Sequence, residues 1–296
     1  MRFTIGQAVV DVIVDDGDYE LPLSGFLPGL DLERLARHQA MLEPEFLDFA
    51  RDRLKVAIQS YVVKMGGRTI LIDSCIGDDR DRPEVPVWQQ RHDSGFLERL
   101  QQAGTDPAAV DLVFCTHLHV DQVGWNTRLG DGRFLPTFPN ARYLFGRDEL
   151  ADWMTQRQAG TIPGAPRRRA RGQRHPDPGS RPRRPGRDRA RARPRPHAHP
   201  ASRPHPRPDG RPGRAPAGRA LFCGDAIHSP VQVCQPDDST AVDVDPSAAI
   251  VTRRALLDEA TETGRLVIPA HFRGRRCAHI RRAGNGFEPV FRRGAA

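Results

Sequence analysis

Runs of apolar residues divide the chain into two segments with strand and helix patterns, separated by a stretch without such runs. In the first segment, the β-branched run Ala8 to Val14 predicts a strand. Ala57 to Lys64 and Arg68 to Asp73 predict two strands that Gly66-Gly67 joins in a hairpin. Asp111 to Thr116 is apolar through its centre, which predicts a strand buried on both faces.

Further elements follow from helical spacing, capping residues and short apolar runs. Helices are predicted across Leu30 to Leu42, across Gly95 to Ala103 with an end at Gly104, and from Asp245-Pro246 to Gly264. Strands are predicted across Ala220 to Cys223 before Gly224-Asp225, across Leu266 to Ile268 before Pro269-Ala270-His271, and as a pair across Ala278 to Phe291.

The stretch between these segments has an unusual composition. Residues 163–220 contain no Val, Ile, Leu, Met, Phe, Tyr or Trp, so they cannot bury enough apolar surface to offset chain entropy, which predicts disorder. We therefore divide the chain into an N-terminal domain part at 1–160, a disordered Arg/Pro-rich segment at 161–220 and a C-terminal domain part at 221–296.

The positive net charge of +8 comes from this same stretch, because residues 163–220 hold 18 Arg and only 3 Asp. The other residues include 27 Lys and Arg against 34 Asp and Glu, a net charge of −7. A whole-chain attraction to nucleic acid or an anionic membrane is therefore disfavoured. The segment also lacks the aromatic side chains that stack on bases.

We interpret the Arg/Pro-rich segment as the product of a shifted reading frame. Its few residue types are those that GC-rich DNA encodes out of register. With free choice of third bases, the codons of Arg203 to Asp209 are compatible with Gly-His-Thr-Pro-Gly-Gln-Thr one base later. The nucleotide sequence across codons 155 to 222 tests this hypothesis, and an intact in-frame Arg/Pro coding segment would contradict it.

Cysteine usage and the chain start favour a cytoplasmic protein. The five cysteines are odd in number and contain no C-x-x-C pair, which predicts reduced thiols. The N-terminal residues Met1 to Gly6 lead into a strand-like run that Asp15 to Asp18 interrupts, so no signal peptide is predicted. No later stretch is apolar for long enough to span a bilayer.

The strongest chemical signal is a loop with two histidines and an aspartate after a predicted strand. His117, His119 and Asp121 can converge on one cation or a close pair, and neutral imidazole and carboxylate are ordinary zinc ligands. A loop with surface histidines is the alternative interpretation. Asp225 and His271 each follow another apolar strand, so all three loops could meet at one edge of a sheet sandwich.

Four stretches carry recognisable motifs, namely Ile70 to Gly77, Thr116 to Asn126, Leu221 to His228 and Pro269 to Phe272. Together they resemble the metallo-β-lactamase superfamily. They are most similar to its branch of N-acyl-homoserine lactonases and organophosphate hydrolases. The resemblance covers residues 1 to about 160 and 221 to 296.

The resemblance implies an α+β fold, an αββα sandwich, with two zinc ions. His117 and His119 would hold the first ion with a third histidine from a Gly-His loop. Asp121, residue 122 and His271 would hold the second ion, and Asp225 would bridge both. A metal-bound hydroxide would attack an ester, lactone or phosphoester bond of a small-molecule substrate. Asp121 would pass a proton to the leaving oxygen.

The chain departs from the family pattern in two places. Gln122 stands where the family usually has histidine, and an amide oxygen is a poorer zinc ligand than imidazole. The Arg/Pro-rich segment replaces the Gly-His loop, and its histidines lack a predicted strand to place them; they are His175, His197, His199 and His205. For His228, a pocket residue and a supporting or plain loop residue both remain open.

These departures lead to three functional hypotheses. The first is a zinc-dependent hydrolase with impaired or absent activity, because one or both metal sites are weakened. The second is a catalytically dead member of the fold whose basic segment binds nucleic acid. The third is a pseudogene product without a stable fold. The sequence leaves the substrate and the oligomeric state open.

Overall fold

The computed structural model describes residues 1–83, 85–159 and 219–291. Residues 160–218, which make up nearly all of the Arg/Pro-rich segment, lie outside this description. The predicted disorder, the domain boundaries and the shifted-frame hypothesis therefore stay predictions.

The larger sheet has seven strands and comes mainly from the N-terminal part. Its strands are β1 (Arg2–Ile5), β2 (Ala8–Pro22), β3 (Leu47–Asp48), β4 (Arg53–Met65), β5 (Arg68–Ile72) and β6 (Leu112–Phe114). A hairpin of β7 (Thr127–Gly130) and β8 (Arg133–Pro136) precedes the seventh strand, β9 (Arg142–Leu144). The sheet order is β1-β2-β4-β5-β6-β9, with β3 paired to β4. β5, β6 and β9 run parallel, so their carboxyl ends lie at one edge.

The smaller sheet has four strands and comes from the C-terminal part. They are β10 (Ala220–Gly224), β11 (Leu266–Pro269), β12 (Ala278–Ala283) and β13 (Gly286–Phe291), in that order. β10 and β11 are parallel, whereas the β11-β12 and β12-β13 pairs are antiparallel. The carboxyl ends of β10 and β11 therefore meet at one edge of this sheet.

Seven α-helices lie within the described residues. They are α1 (Leu23–Phe26), α2 (Leu32–Ala36), α3 (Gln39–Leu42), α4 (Phe96–Gln102), α5 (Arg147–Ala159), α6 (Val231–Cys234) and α7 (Pro246–Thr263). Short 3₁₀ turns occupy Pro86–Trp88, Pro107–Ala109 and Gly124–Asn126. Asp245 caps α7 by accepting from the Ala248 amide, and Gly264 ends it in a left-handed conformation.

The buried core shows an αββα arrangement. One cluster joins the two sheets face to face and includes Val10 and Tyr61 of the larger sheet with Ile268 of the smaller. On the opposite face of the larger sheet, Phe96 and Leu100 of α4 pack onto its strands. On the outer face of the smaller sheet, α7 packs through Leu257 and Ala260. The predicted α+β sandwich is thus confirmed.

Two local predictions were wrong. The strand predicted at Asp111 to Thr116 is shorter and is buried on one face only: Val113 is fully buried, whereas Phe114 is 40 % exposed. The helix predicted across Leu30 to Leu42 is broken into α2 and α3 by a turn at Arg37 and His38. This turn allows Leu35 and Leu42 to enter the same buried cluster.

Two features bear on the cellular setting. Within the described residues, no helix is both long and apolar enough to cross a bilayer. No disulfide joins the five cysteines, all of which lie in the described part of the chain. The cytoplasmic location stays a prediction.

Candidate metal centre

Four strand ends place polar side chains at one edge of the sandwich. Asp73 follows β5, His117 and His119 follow β6, Asp225 follows β10, and His271 follows β11. In each sheet these strands are parallel neighbours, and parallel strands bring the loops after their carboxyl ends together. The loops predicted from sequence to meet therefore do meet.

Asp225 lies at the centre of this group. Its Oδ2 atom is 3.1 Å from Nε2 of His117 and 3.7 Å from Nδ1 of His119. Its Oδ1 atom is 3.1 Å from Nε2 of His271. One carboxylate thus faces imidazoles from two different loops with its two oxygens, which is the arrangement required of a bridging ligand.

His228 is a fourth histidine of the group. It lies three residues after Asp225, and its Nε2 is 3.3 Å from Oδ2 of Asp225. Its ring stacks parallel to that of His271 at 5.4 Å between centroids. The sequence alone left its role open; the spacing Asp225-x-x-His228 on one turn was the available signal.

His271 is held by the larger sheet and contacts the two other predicted ligands. Its Nδ1 is 3.0 Å from the carbonyl oxygen of Ala57, so the ring N–H donates there, and in the neutral ring Nε2 carries the lone pair that a metal ion would use. This Nε2 lies 3.5 Å from Oδ2 of Asp121 and 3.1 Å from Nε2 of Gln122. Gln122 is buried, and its Oε1 atom has no hydrogen-bond partner within the described residues.

Hydrogen bonds to Asp73 and Glu149 hold the histidine loop after β6 in place. The carboxylate of Asp73 accepts from the backbone amide of Thr116 at 2.7 Å and from its hydroxyl at 2.8 Å. The Thr116 hydroxyl is also 3.1 Å from Nδ1 of His117. Glu149 of α5 accepts from the Leu118 amide at 2.7 Å. These contacts restrict the orientation of His117 before any ligand binds.

Gly224 permits the close approach of the Asp225 loop to the histidine loop. Its φ is +52°, and a Cβ atom there would lie 2.8 Å from the Thr116 hydroxyl oxygen and 3.0 Å from the Thr116 Cβ. A larger residue would therefore push Asp225 away from His117.

Electrostatic coupling shifts the titration of the buried groups in the metal-free chain. Burial lowers the pKa of His117, but Asp225 and more distant carboxylates outweigh it and raise the pKa to about 9. The pKa of His271 is raised to about 9 in the same way, against the effect of burial. Burial raises the pKa of Asp225, but His228, His271 and His117 hold it well below its usual value. Burial raises the pKa of Asp73 to about 7 despite its bonds from Thr116.

The donor atoms form two sets of three that could each hold a metal ion. His117, His119 and Asp225 make one set, and Asp225, His228 and His271 make the other. Within each set the donor atoms lie within 4.8 Å of one another. Nε2 of His117 and Oδ1 of Asp225 are buried and make no hydrogen bond within the described residues. Imidazole nitrogen and carboxylate oxygen suit zinc, so the residues fit such an ion.

The predicted ligands differ in how directly they enter these sets. Four of them are members of the sets, namely His117, His119, Asp225 and His271. Asp121 and Gln122 belong to neither set but contact Nε2 of His271. The four histidines of the Arg/Pro-rich segment lie outside the described residues, as does the predicted replacement of the Gly-His loop.

A cavity of about 460 Å³ opens next to the cluster. Its walls are mainly apolar and aromatic and come from several elements; they include Tyr19, Leu21, Phe26, Val56, Ile58, Val85, Trp88, Trp153 and Val242. Its lining also includes His119, Asp121, Asp225, His228 and His271. Arg82 also faces the cavity, and burial lowers its pKa to about 10.

Comparison with known proteins agrees with this geometry. Residues 54–271 match the model of the metallo-beta-lactamase superfamily. The fold is similar to AidC, a dizinc quorum-quenching lactonase in complex with a product, with a TM-score of 0.65 and 16% identity over 100% of this chain and 98% of that one. It is also similar to the hydrolase AbOPH, with a TM-score of 0.65 and 18% identity over 100% of this chain and 98% of that one.

A third similar structure is a probable metal-dependent hydrolase from Staphylococcus aureus, with a TM-score of 0.62 and 13% identity over 99% of this chain and 100% of that one. At these identities the likeness shows a shared fold. No curated protein sequence matches the chain.

Proposed function

The chain belongs to the metallo-β-lactamase superfamily, and from that premise we propose that it is a zinc-dependent hydrolase of an ester, lactone or phosphoester bond. The observation that carries this proposal is the convergence of His117 and His271 on opposite oxygens of Asp225. Nε2 of His117 and Oδ1 of Asp225 are buried and make ion-pair contacts but no hydrogen bond within the described residues, so both atoms remain available to a metal ion.

The proposed ligand sets combine the donor atoms around Asp225 with the family pattern, which adds Asp121. His117 and His119 would hold the first zinc ion, and His271 with Asp121 would hold the second. Asp225 would be shared by both. When bound, zinc acts as a Lewis acid and lowers the pKa of a coordinated water to near 7. Gln122 contributes a neutral amide instead of an imidazole, so we propose that the second site binds zinc more weakly than the first.

The chain's own side chains would bind and orient the substrate. The apolar cavity walls would exclude water and bind an apolar substituent, because burial of apolar surface is favourable. Nη1 of Arg82 is buried without a hydrogen-bond partner within the described residues, so it would meet a polar oxygen of the substrate. Asp121 lines the cavity, where its carboxylate would take a proton from the attacking water and hand it to the leaving oxygen.

Two observations support an acylated lactone as the first substrate class to test. The cavity combines apolar walls with residues of the candidate metal centre in its lining. AidC, which shares the fold, was solved with an N-acyl-L-homoserine product. Phosphotriesters are the second class, since they also combine apolar substituents with a centre that zinc can polarise.

Hydrolysis assays with the full chain test the proposal. The zinc-loaded protein is incubated with N-hexanoyl-homoserine lactone and with an aryl phosphotriester, and the double variant His117→Ala/His119→Ala serves as control. Turnover by the natural chain but not by the variant is expected. Equal rates in both proteins, or no turnover of either substrate, would contradict the proposal.

The nucleic-acid hypothesis rests on the Arg/Pro-rich segment, which lies outside the described residues. No feature of residues 1–83, 85–159 and 219–291 favours it over hydrolysis.

A further inference from the structure

We propose that His228 is a metal ligand of this chain and replaces the imidazole that is missing at position 122. This inference rests on the proposed function, because it concerns the second ion of the same centre. It goes beyond the family pattern, which places Asp121, residue 122 and His271 around that ion.

The position of His228 supports this role first. It is only 6 % exposed, and it lies on the turn between β10 and α6 that also carries Asp225. Its Nε2 lies 3.3 Å from Oδ2 of Asp225, and the donor atoms of Asp225, His228 and His271 lie within 4.8 Å of one another. Two imidazoles and a carboxylate at this spacing are a sufficient protein ligand set for a catalytic zinc.

Apart from the contact of its Nε2 with Asp225, the ring of His228 is held by packing. Its backbone amide donates to Oε1 of Gln232 at 2.8 Å, which holds the turn. The edge of its ring packs on Phe26 at 5.3 Å between centroids, and its face stacks on His271. Its Nδ1 is buried and has no hydrogen-bond partner within the described residues. Packing thus orients a buried imidazole whose Nε2 faces the Asp225 carboxylate.

Gln122 also supports the inference, because it lacks the imidazole that His228 would replace. Its amide nitrogen lies 3.1 Å from Nε2 of His271 and 3.3 Å from Oδ2 of Asp121, so its amide occupies the place of the family's histidine. An amide oxygen is a weaker zinc donor than imidazole. With His228, the second set regains two imidazoles, and the loss at Gln122 is compensated by a residue from a different loop.

Zinc stoichiometry and affinity test the assignment. The natural chain, His228→Ala and His228→Gln are saturated with zinc, desalted and analysed for bound metal, and the dissociation constants are measured against a chromophoric chelator. His279→Ala is the matched control, because this half-exposed histidine lies on β12, outside both ligand sets, with its Nδ1 3.1 Å from the Gly264 carbonyl oxygen. Both His228 variants are expected to lose about one zinc equivalent or to bind it at least ~10-fold more weakly, and His279→Ala is expected to match the natural chain.

The double variant Gln122→His/His228→Ala separates a ligand from a substrate-contacting residue. If His228 is a ligand, restoring the imidazole at position 122 returns the second zinc ion. Unchanged zinc content and affinity in both His228 variants would overturn the inference while leaving the proposed function intact. Absence of zinc from the natural chain would overturn the proposed function itself. Failure of both variants to fold in zinc-free buffer would show a structural role and contradict the assignment.

Discussion

The side-chain nitrogen of Gln122 lies 3.1 Å from Nε2 of His271, so an amide faces the atom that would bind the second zinc ion. We predict that Gln122→His strengthens the binding of that ion by at least ~10-fold, because imidazole is the better zinc ligand. Competition with a chelator measures the change. Gln122→Asn is the control and should bring no gain. Equal zinc affinity in the natural chain and in Gln122→His would show that position 122 does not reach the metal.

Asp73 and Thr116 are predicted to act on zinc through the orientation of His117. Thr116→Val keeps the side-chain shape but removes the hydroxyl that contacts both Asp73 and Nδ1 of His117. Loss of such a supporting contact typically weakens metal binding by about 10–100-fold. Thr155→Val, on exposed α5, is the control, because its hydroxyl donates to the Ala151 carbonyl of the same helix. A zinc dissociation constant that Thr116→Val leaves unchanged would contradict this account of the loop.

The stability of the metal-free chain should fall as the pH rises. The pKa values of His117 and His271 are raised to about 9 in the folded chain, above the ordinary value of about 6.5. Their stabilising effect is therefore complete below pH 6.5 and is lost as the pH rises through about 9. Each histidine contributes a slope of at most about 1.4 kcal/mol per pH unit. Urea unfolding in a chelator across this range measures the slope, and a free energy of unfolding that rises with pH would contradict the prediction.

Arg253 should stabilise the turn that carries Asp225. It is fully buried in α7 and donates to the carbonyl oxygens of Ala226, Pro236 and Asp238. Arg253→Met removes the guanidinium donor from all three carbonyls, of which, within the described residues, only that of Asp238 keeps a second donor, Gln232, and we expect this to cost about 2–4 kcal/mol of unfolding free energy.

The neighbouring Arg254 is the matched control for this variant. It is exposed and pairs with Asp237, so Arg254→Met should cost less than about 1 kcal/mol. Chemical denaturation compares the two proteins. Similar losses in both would show that the buried guanidinium is not what holds the turn.

Much of the centre could be predicted because its ligands follow apolar strands. His117, His119, Asp225 and His271 each stand at a strand end, and parallel strand ends meet in space. The place of His228 could not be predicted with the same force, since a lone histidine on a loop carries no periodicity. It is buried against Phe26, which is about 200 positions away in the chain, and against His271, which follows another strand.

The residues that line the cavity, and the burial of each strand face, could not be predicted from the sequence either. Tyr19, Trp88 and Trp153 reach the cavity from three separate elements, so no local pattern joins them. The apolar run around Phe114 predicted burial on both faces, yet composition does not say whether a second layer covers each face. Within the described residues, Phe114 has no such cover.

The central claim is that Asp225 joins two imidazole pairs into one metal centre. The most direct test is the zinc content of the purified natural chain and of Asp225→Asn after saturation and desalting, with Asp237→Asn as an exposed control. Bound zinc is expected in the natural chain and in the control, and loss of bound zinc at both sites is expected in Asp225→Asn. Equal zinc content in all three proteins, or no zinc in the natural chain, would contradict this claim.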